Sequence, residues 1–451
     1  MKDSAILVES VKKLLRRGAT APLLNMLQKV HAADLAEAFT SLDEMERGAA
    51  FRLLADRATA QAAALLAAVH PAHRSDLLNG ITPEKLAPVL HRLDSDDVAE
   101  IASLLEPPDR EALLAVLQKE ASEEVQDLLE HEEDTAGRIM TKRFLALAEA
   151  TSVQEAIAAV QKAQAAEMVF YLYVVDDQGR LRGVLSLRRL LSVPPATRLR
   201  DIMSADVIAV RAETDQEEVA RLVSQYDLLA VPVVDADHVL VGIVTVDDVV
   251  DVMREEATED FYKMAGTSDE ERLMKSTLRS ARVRLPWMFA AFVGGLLGAL
   301  VIQSYTPLLS RFVRLACFIP VVLGMSGNIG TQAATIIVRG LATGRIRLRD
   351  LGGVVFKEIR IALLLGLFYG ALLGLAAVWL VKLTPASGLA VGLSLWLSMA
   401  MAAVVGTTLP VLLKTLHIDP AVATSPFVTT SVDLLGLLVF FGMAGPRLVE
   451  G

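Results

Sequence analysis

Residues 421–444 read AVATSPFVTTSVDLLGLLVFFGMA, an apolar run carrying one carboxylate, Asp433, and no basic residue. A bilayer crossing needs about 20 largely apolar residues, so this stretch is long enough to span. An isolated carboxylate in hydrocarbon costs about 3 kcal/mol even on the lenient insertion scale. It persists there if it is protonated, paired, or facing water and a cation. Helical spacing puts Ser425, Thr429, Asp433 and Gly436 on one stripe, hydroxyls and carboxylate together.

Four more runs of this kind precede it: Trp287–Ser304, Leu315–Val338, Ile359–Val381 and Leu389–Leu413. Basic residues orient them. Arg279, Arg282 and Arg284 precede the first run, and Arg339, Arg345, Arg347, Arg349, Lys357 and Arg360 lie between the second and third. The first-to-second connection holds only Arg311 and Arg314, the third-to-fourth only Lys382. The long region before residue 286 is therefore expected in the cytoplasm, the spans in the cytoplasmic (inner) membrane, and the C-terminus outside. The third span predicts close helix packing, since Gly366, Gly370 and Gly374 recur every four residues. The second is read as broken at Gly324-Met325-Ser326-Gly327-Asn328-Ile329-Gly330, exposing backbone carbonyls beside a polar stripe of Asn328, Thr331 or Gln332, and Thr335. Two stripes of oxygen ligands suit a hard cation. A single carboxylate per chain fits a largely hydrated Mg²⁺, which sheds water reluctantly. The residues themselves specify a divalent cation more firmly than they specify magnesium.

Charge divides the same way. The 451 residues carry a net charge of −10 with 53% hydrophobic residues, and mean hydropathy is +0.44, too apolar for an ordinary soluble chain. From residue 286 onward there are 11 Lys and Arg against 5 Asp and Glu; before it there are 33 against 49, a net of −16. So acidic a region disfavours nucleic acid as a partner and favours cations. The lone Cys317 excludes internal disulfides and thiolate-clustered metal. Residues Met1–Arg17 alternate charge with apolar residues and do not form a signal peptide.

The acidic region has two parts. Residues ~20–130 show short helices restarting about every dozen residues at signals such as Thr82-Pro83, Asp94–Asp97 and Pro107-Pro108-Asp109, which predicts a stacked helical superstructure. Then one α+β unit is used twice, beginning at Ile139-Met140 and at Ile202-Met203, with strand pairs at Leu172–Asp176 with Gly183–Leu187 and at Val231–Asp235 with Gly242–Val246. From Asp247 to Arg284 the chain reads as a mainly helical connector, acidic at its start and basic where it enters the first span.

The duplicated unit resembles tandem CBS domains. The whole order resembles the MgtE family of bacterial magnesium transporters, on Gly327-Asn328-Ile329-Gly330-Thr331-Gln332, Asp419-Pro420-Ala421, Ser425-Pro426, Val432-Asp433-Leu434-Leu435-Gly436 and Thr245-Val246-Asp247-Asp248-Val249. The resemblance implies a multidomain membrane protein. Its parts are an all-α N-terminal domain (1–136), α+β tandem CBS domains (137–254), a long connecting helix (255–285) and a five-helix transmembrane domain (286–451). It also implies a homodimer passing Mg²⁺, with Asp433, Thr429, Ser425, Asn328 and Thr331 at the pore. Cytosolic Mg²⁺ would close it by bridging Asp96, Glu100, Asp215, Glu217, Asp227, Asp248, Asp251, Glu256, Glu259 and Asp260. Relatives also bind ATP between the CBS copies, where Tyr171 and Arg188 match. CBS domains in many proteins hold a ribose with Ser or Thr and an Asp three residues on. Thr245 and Asp248 keep that spacing, whereas Ser186 is followed there by Arg189.

The rival from another class is a membrane-anchored sensor without transport, which leaves Asp433 unexplained. An intramembrane enzyme is disfavoured because the spans hold no paired-acid or His-rich site and the seven histidines lack ligand spacing. An anion transporter is disfavoured by the sign of the buried charge.

Overall fold

A computed structural model describes residues 2–163, 170–268, 271, 276–346, 351–423 and 426–449. The chain divides into two compact units, Met1–Met253 and Arg254–Gly451.

Among the described residues the first unit opens with ten helices. They are α1 (Lys2–Arg16), α2 (Thr20–Leu27), α3 (Ala32–Thr40), α4 (Glu44–Arg57) and α5 (Thr59–Ala68), followed by α6 (Pro71–Leu78), α7 (Pro83–Leu90), α8 (Ser95–Ser103), α9 (Pro107–Val116) and α10 (Lys119–Glu130). Local chemistry sets where they start. The Asp43 side chain accepts the Glu46 amide at 2.7 Å while Glu46 accepts the Asp43 amide at 3.2 Å, a reciprocal cap that starts α4. Pro83 and Pro107 open α7 and α9, where a missing N–H costs nothing. Alternate helices stack, α3 on α5, α5 on α7, α7 on α9 and α8 on α10, and Phe39, Phe51, Leu54, Leu65 and Leu66 are fully buried.

After α11 (Ala136–Ile139) come the two α+β copies. The first holds β1 (Ala146–Ala148), α12 (Val153–Lys162), β2 (Tyr171–Val175), β3 (Leu181–Ser186) and α13 (Leu187–Leu190). The second holds β4 (Val210–Arg211), α14 (Gln216–Tyr226), β5 (Ala230–Val234) and β6 (Leu240–Thr245), and runs into α15 (Val246–Met264). In both, the first strand is parallel to the second and the second antiparallel to the third. The copies are crossed. Thr141, which leads the first copy, exchanges backbone hydrogen bonds with Ile243 of the second; Ser204, which leads the second, does so with Val184 of the first. Met140 and Met203 accordingly pack on Gly242 and Gly183, where an added Cβ would stand 2.5 Å from sulfur. The hairpin turns also meet, Leu181 N–H donating to the His238 carbonyl at 3.1 Å and Leu240 N–H to that of Gly179 at 3.0 Å.

The second unit holds α16 (Thr277–Ser304), α17 (Thr306–Arg311), α18 (Ile319–Ala342), α19 (Leu351–Trp379), α20 (Pro385–Thr415) and α21 (Pro426–Val449). Among the described residues five helical stretches are long and apolar enough to cross a membrane. Two expectations need correction. The connector is not one helix: α15 stops at Met264, Gly266 takes a left-handed φ of +75°, and α16 starts at Thr277. Nor is the second span broken, since α18 runs unbroken through Gly324–Gly330. In apolar surroundings a helix keeps its own backbone bonded, and Gly330 serves contact instead. A Cβ there would stand 2.9 Å from Val432 and 3.3 Å from Val428, and one on Gly406 would strike the Gly330 carbonyl. The glycine ridge of α19 packs as expected, Gly370 and Gly374 lying against the Gly392 and Gly388 carbonyls of α20, with Trp396 Nε1 donating to the Leu363 carbonyl at 3.0 Å.

Candidate functional site

Asp433 is the eighth residue of α21 and lies near the middle of its apolar stretch Pro426–Met443. It is half-buried, and no Lys or Arg occurs between Asp419 and Arg447. One turn earlier Thr429 donates through Oγ1 to the Pro426 carbonyl at 3.3 Å. Ser425 lies outside the described residues. Since Val428 and Val432 sit on Gly330, and Gly436 on Leu323, the polar stripe of α21 runs at the level of Asn328 and Thr331 on α18. On that helix Gly324, Asn328 and Gln332 are exposed along one face while Ile329, Ala333 and Ile337 are buried on the other. Thr331 is half-buried, its carbonyl accepting the Thr335 hydroxyl at 2.9 Å. Four of the five residues expected at the pore thus lie on two touching helices.

Sequence reading missed Glu358. It is 7% exposed and shares the buried seam of α19 with Ala362, Gly366 and Gly370. Lys357 and Arg360 beside it suggested a loop, yet its spacing of four and eight from Ala362 and Gly366 was a usable signal.

The acids of the region before the spans fall into separate groups. In α8 the Asp97 carboxyl is pushed up to about 6, by burial first; Arg74 opposes this, and Glu100, Asp94 and Asp251 add to it. Arg74 is itself buried, pairing with Glu100 and donating through Nε to the Val69 carbonyl at 3.1 Å. Asp97, beside the expected ligands Asp96 and Glu100 on α8, is thereby in the field of Asp251 on α15. The Thr245 hydroxyl donates to Asp248 at 2.5 Å and also to Asp247. Asp215 and Asp227 do not meet. Asp215 caps the start of α14, accepting the Glu217 amide at 2.8 Å, and Asp227 ends it with a φ of +52°. Eleven residues of helix put them about 17 Å apart, so within one chain they share no ion.

In the second unit Lys263 pairs with Glu259 at 2.5 Å and with Asp419 at 2.8 Å. Burial, and then Asp419, raise the Asp260 carboxyl. Glu256 is half-buried on the same helix. Among the described residues no three His, Cys, Asp or Glu side chains converge as a ready-made metal cage.

Between the CBS-like copies, Tyr171 is half-buried on β2 and Arg188 exposed on α13. The second copy joins Thr245 to Asp248 by a hydrogen bond, whereas Ser186 turns its hydroxyl to cap α13, accepting the Arg189 amide at 3.3 Å. The Tyr173 hydroxyl is buried and has no hydrogen-bond partner among the described residues.

Comparison with known proteins follows the same divisions. The MgtE intracellular N domain matches residues 30–134, the CBS domain residues 136–195 and 199–255, and MgtE, described as a divalent cation transporter, residues 319–443. The magnesium transporter MgtE of Thermus thermophilus is 43% identical over 327 residues, covering 71% of this chain and 72% of that one. That of Bacillus subtilis is 38% identical over 329 residues, 72% of each. A crystal structure of the cytosolic domain of the Mg²⁺ channel MgtE in complex with ATP is 39% identical, with a TM-score of 0.51 over 54% of this chain and 99% of its own.

Proposed function

The chain belongs to the MgtE family of divalent cation transporters, and on that premise we propose that it conducts Mg²⁺ into the cell as a homodimer and closes as cytosolic Mg²⁺ rises. One observation carries the reading. A membrane-crossing helix exposes Gly324, Asn328 and Gln332 along one face, and amides facing lipid are costly. A second copy set against that face would enclose it, with Asp433 one helix away. Two Asp433 carboxylates then balance the charge of one divalent ion, while Thr429, Ser425, Asn328 and Thr331 bond to the water it keeps. The lack of a ready-made cage among the described residues suits an ion held through its hydration shell. The inward drive is the membrane potential, about 2.3 kcal/mol per charge per 100 mV and twice that for a divalent ion.

Closure follows from charge. The cytosolic residues before 286 carry −16 per chain, and their acids repel one another until neutralised. Mg²⁺ would bridge Asp96, Glu100, Asp248 and Asp251 at the α8–α15 face. Asp215, Glu217 and Asp227 lie at the two ends of α14, and Glu256, Glu259 and Asp260 on the later turns of α15. All are hard oxygen donors, as Mg²⁺ requires. The transported ion thus biases a two-state element. We also assign Tyr171 and Arg188 to an ATP site between the CBS copies. Arg189, standing where a ribose-binding acid is expected, weakens it.

The deciding experiment is Mg²⁺ flux into proteoliposomes. Asp433→Ala should abolish uptake while melting as the wild type does. Near-normal uptake by that variant would remove the pore assignment, and no flux in the wild type would favour the anchored sensor.

A further inference from the structure

One lysine ties the connecting helix to the foot of the last span. Lys263, at the end of α15, reaches both Glu259 of its own helix and Asp419 of the segment between α20 and α21. Asp419 is fixed at its other oxygen, where Oδ1 accepts the Ala421 amide at 2.8 Å and caps the short turn Pro420–Ala423. The side chains of Lys263 and Asp419 are 31% and 34% exposed, so water screens them less than it would a surface pair. Asp260 is close enough to Asp419 for its own charge to be disfavoured, with Lys263 and then Arg339 of α18 opposing this. Glu259 and Asp419, from two segments, therefore share one ammonium, and Asp260 lies within its field. Without it, like charges are held together and the segments are pushed apart.

Resting on the gating reading above, we propose that Lys263 is a resident counter-cation of the gate: its ammonium latches α15 to Asp419 without metal, so that cytosolic Mg²⁺ completes a closure already begun. Removing it leaves Glu259, Asp260 and Asp419 to be neutralised by Mg²⁺ alone, and more Mg²⁺ is needed. The opposite role, in which Lys263 merely blocks carboxylates that metal would otherwise take, predicts easier closure on its removal.

Two measurements on the full chain decide this. In proteoliposomes with Mg²⁺ varied on the cytoplasmic face, Lys263→Met should raise the half-closing concentration roughly fivefold, the low end of a coupling between sites. Lys263→Arg should stay near wild type, and Lys263→Met combined with Asp419→Asn should shift no further than the larger single change. In EDTA, where nothing is transported, Lys263→Met should speed amide hydrogen exchange at residues 421–423 by a similar factor and leave the α19–α20 seam unchanged. An unshifted or lowered half-closing concentration overturns the latch. If the wild type conducts but does not close with Mg²⁺, the gating reading has failed instead, and exchange decides alone: unaltered exchange at 421–423 overturns the latch.

Discussion

Replacing Asp97 by Asn should stabilise the first unit, although it removes a charge from a conspicuous acidic turn. The Asp97 carboxyl is raised from 3.8 to about 6, burial being the largest cause. A carboxyl raised by folding binds its proton more tightly in the folded chain than in the unfolded one. Its contribution is therefore intact below the unfolded value and is lost as pH climbs from 3.8 through about 6. At pH 7.5 the whole loss is present, about 3 kcal/mol as an upper bound for a shift of roughly two units. The uncharged amide of Asp97→Asn escapes it. In EDTA the variant should unfold several degrees higher, and its advantage should fall to about half at pH 5. Added Mg²⁺ should also erode the advantage if the ion neutralises the same cluster. Calorimetry is the suitable assay, because Trp287, Trp379 and Trp396 all lie in the second unit and would not report the first. A variant no more stable than wild type at pH 7.5, or equally favoured at both pH values, would refute this reasoning.

Gly370→Ala should destabilise the membrane unit by about 1–3 kcal/mol relative to Gly352→Ala. Both variants gain the same helix propensity, but the first Cβ meets the Gly392 carbonyl oxygen at 2.5 Å and the second meets nothing. Fluorescence of Trp396 on that seam would follow the melt, and equal stability of the pair would contradict the packing. Tyr173→Phe should be neutral or stabilising by about 1 kcal/mol, since the buried hydroxyl has no partner among the described residues; a clear drop in melting temperature would mean that it has one in solution. In a Cys317→Ser background, Asn328→Cys should react with a water-soluble thiol reagent and Ile329→Cys should not. Equal protection of both would place the exposed face of α18 against lipid.

Features carried by many residues at once were legible in the sequence. Five apolar runs, a duplication and a charge divide each rest on dozens of positions, so single ambiguities do not matter. Asp433 was legible because one carboxylate contrasts with everything around it. What escaped was set by contacts across the chain. β1 and β4 have only three and two residues and exist because β2 and β5 pair with them. Gly324–Gly330 looked like a break because glycine allows both a bend and a close approach, and only Val428, Val432 and Gly406 on neighbouring helices decide between them. Glu358 hid behind the basic residues beside it, its burial being decided by the helix that packs on it. Asp215 and Asp227 are brought together only by the family resemblance, which does not tell that a helix holds them apart.

The crossing of the CBS-like copies has a consequence for how that region could have arisen and how it unfolds. A copy expressed by itself would leave an open strand edge at Val184 or Ile243, and a second copy is what heals it. The tandem pair is in that sense a dimer whose halves were joined into one polypeptide. Because each half completes the sheet edge of the other, the two are expected to unfold together as one cooperative unit.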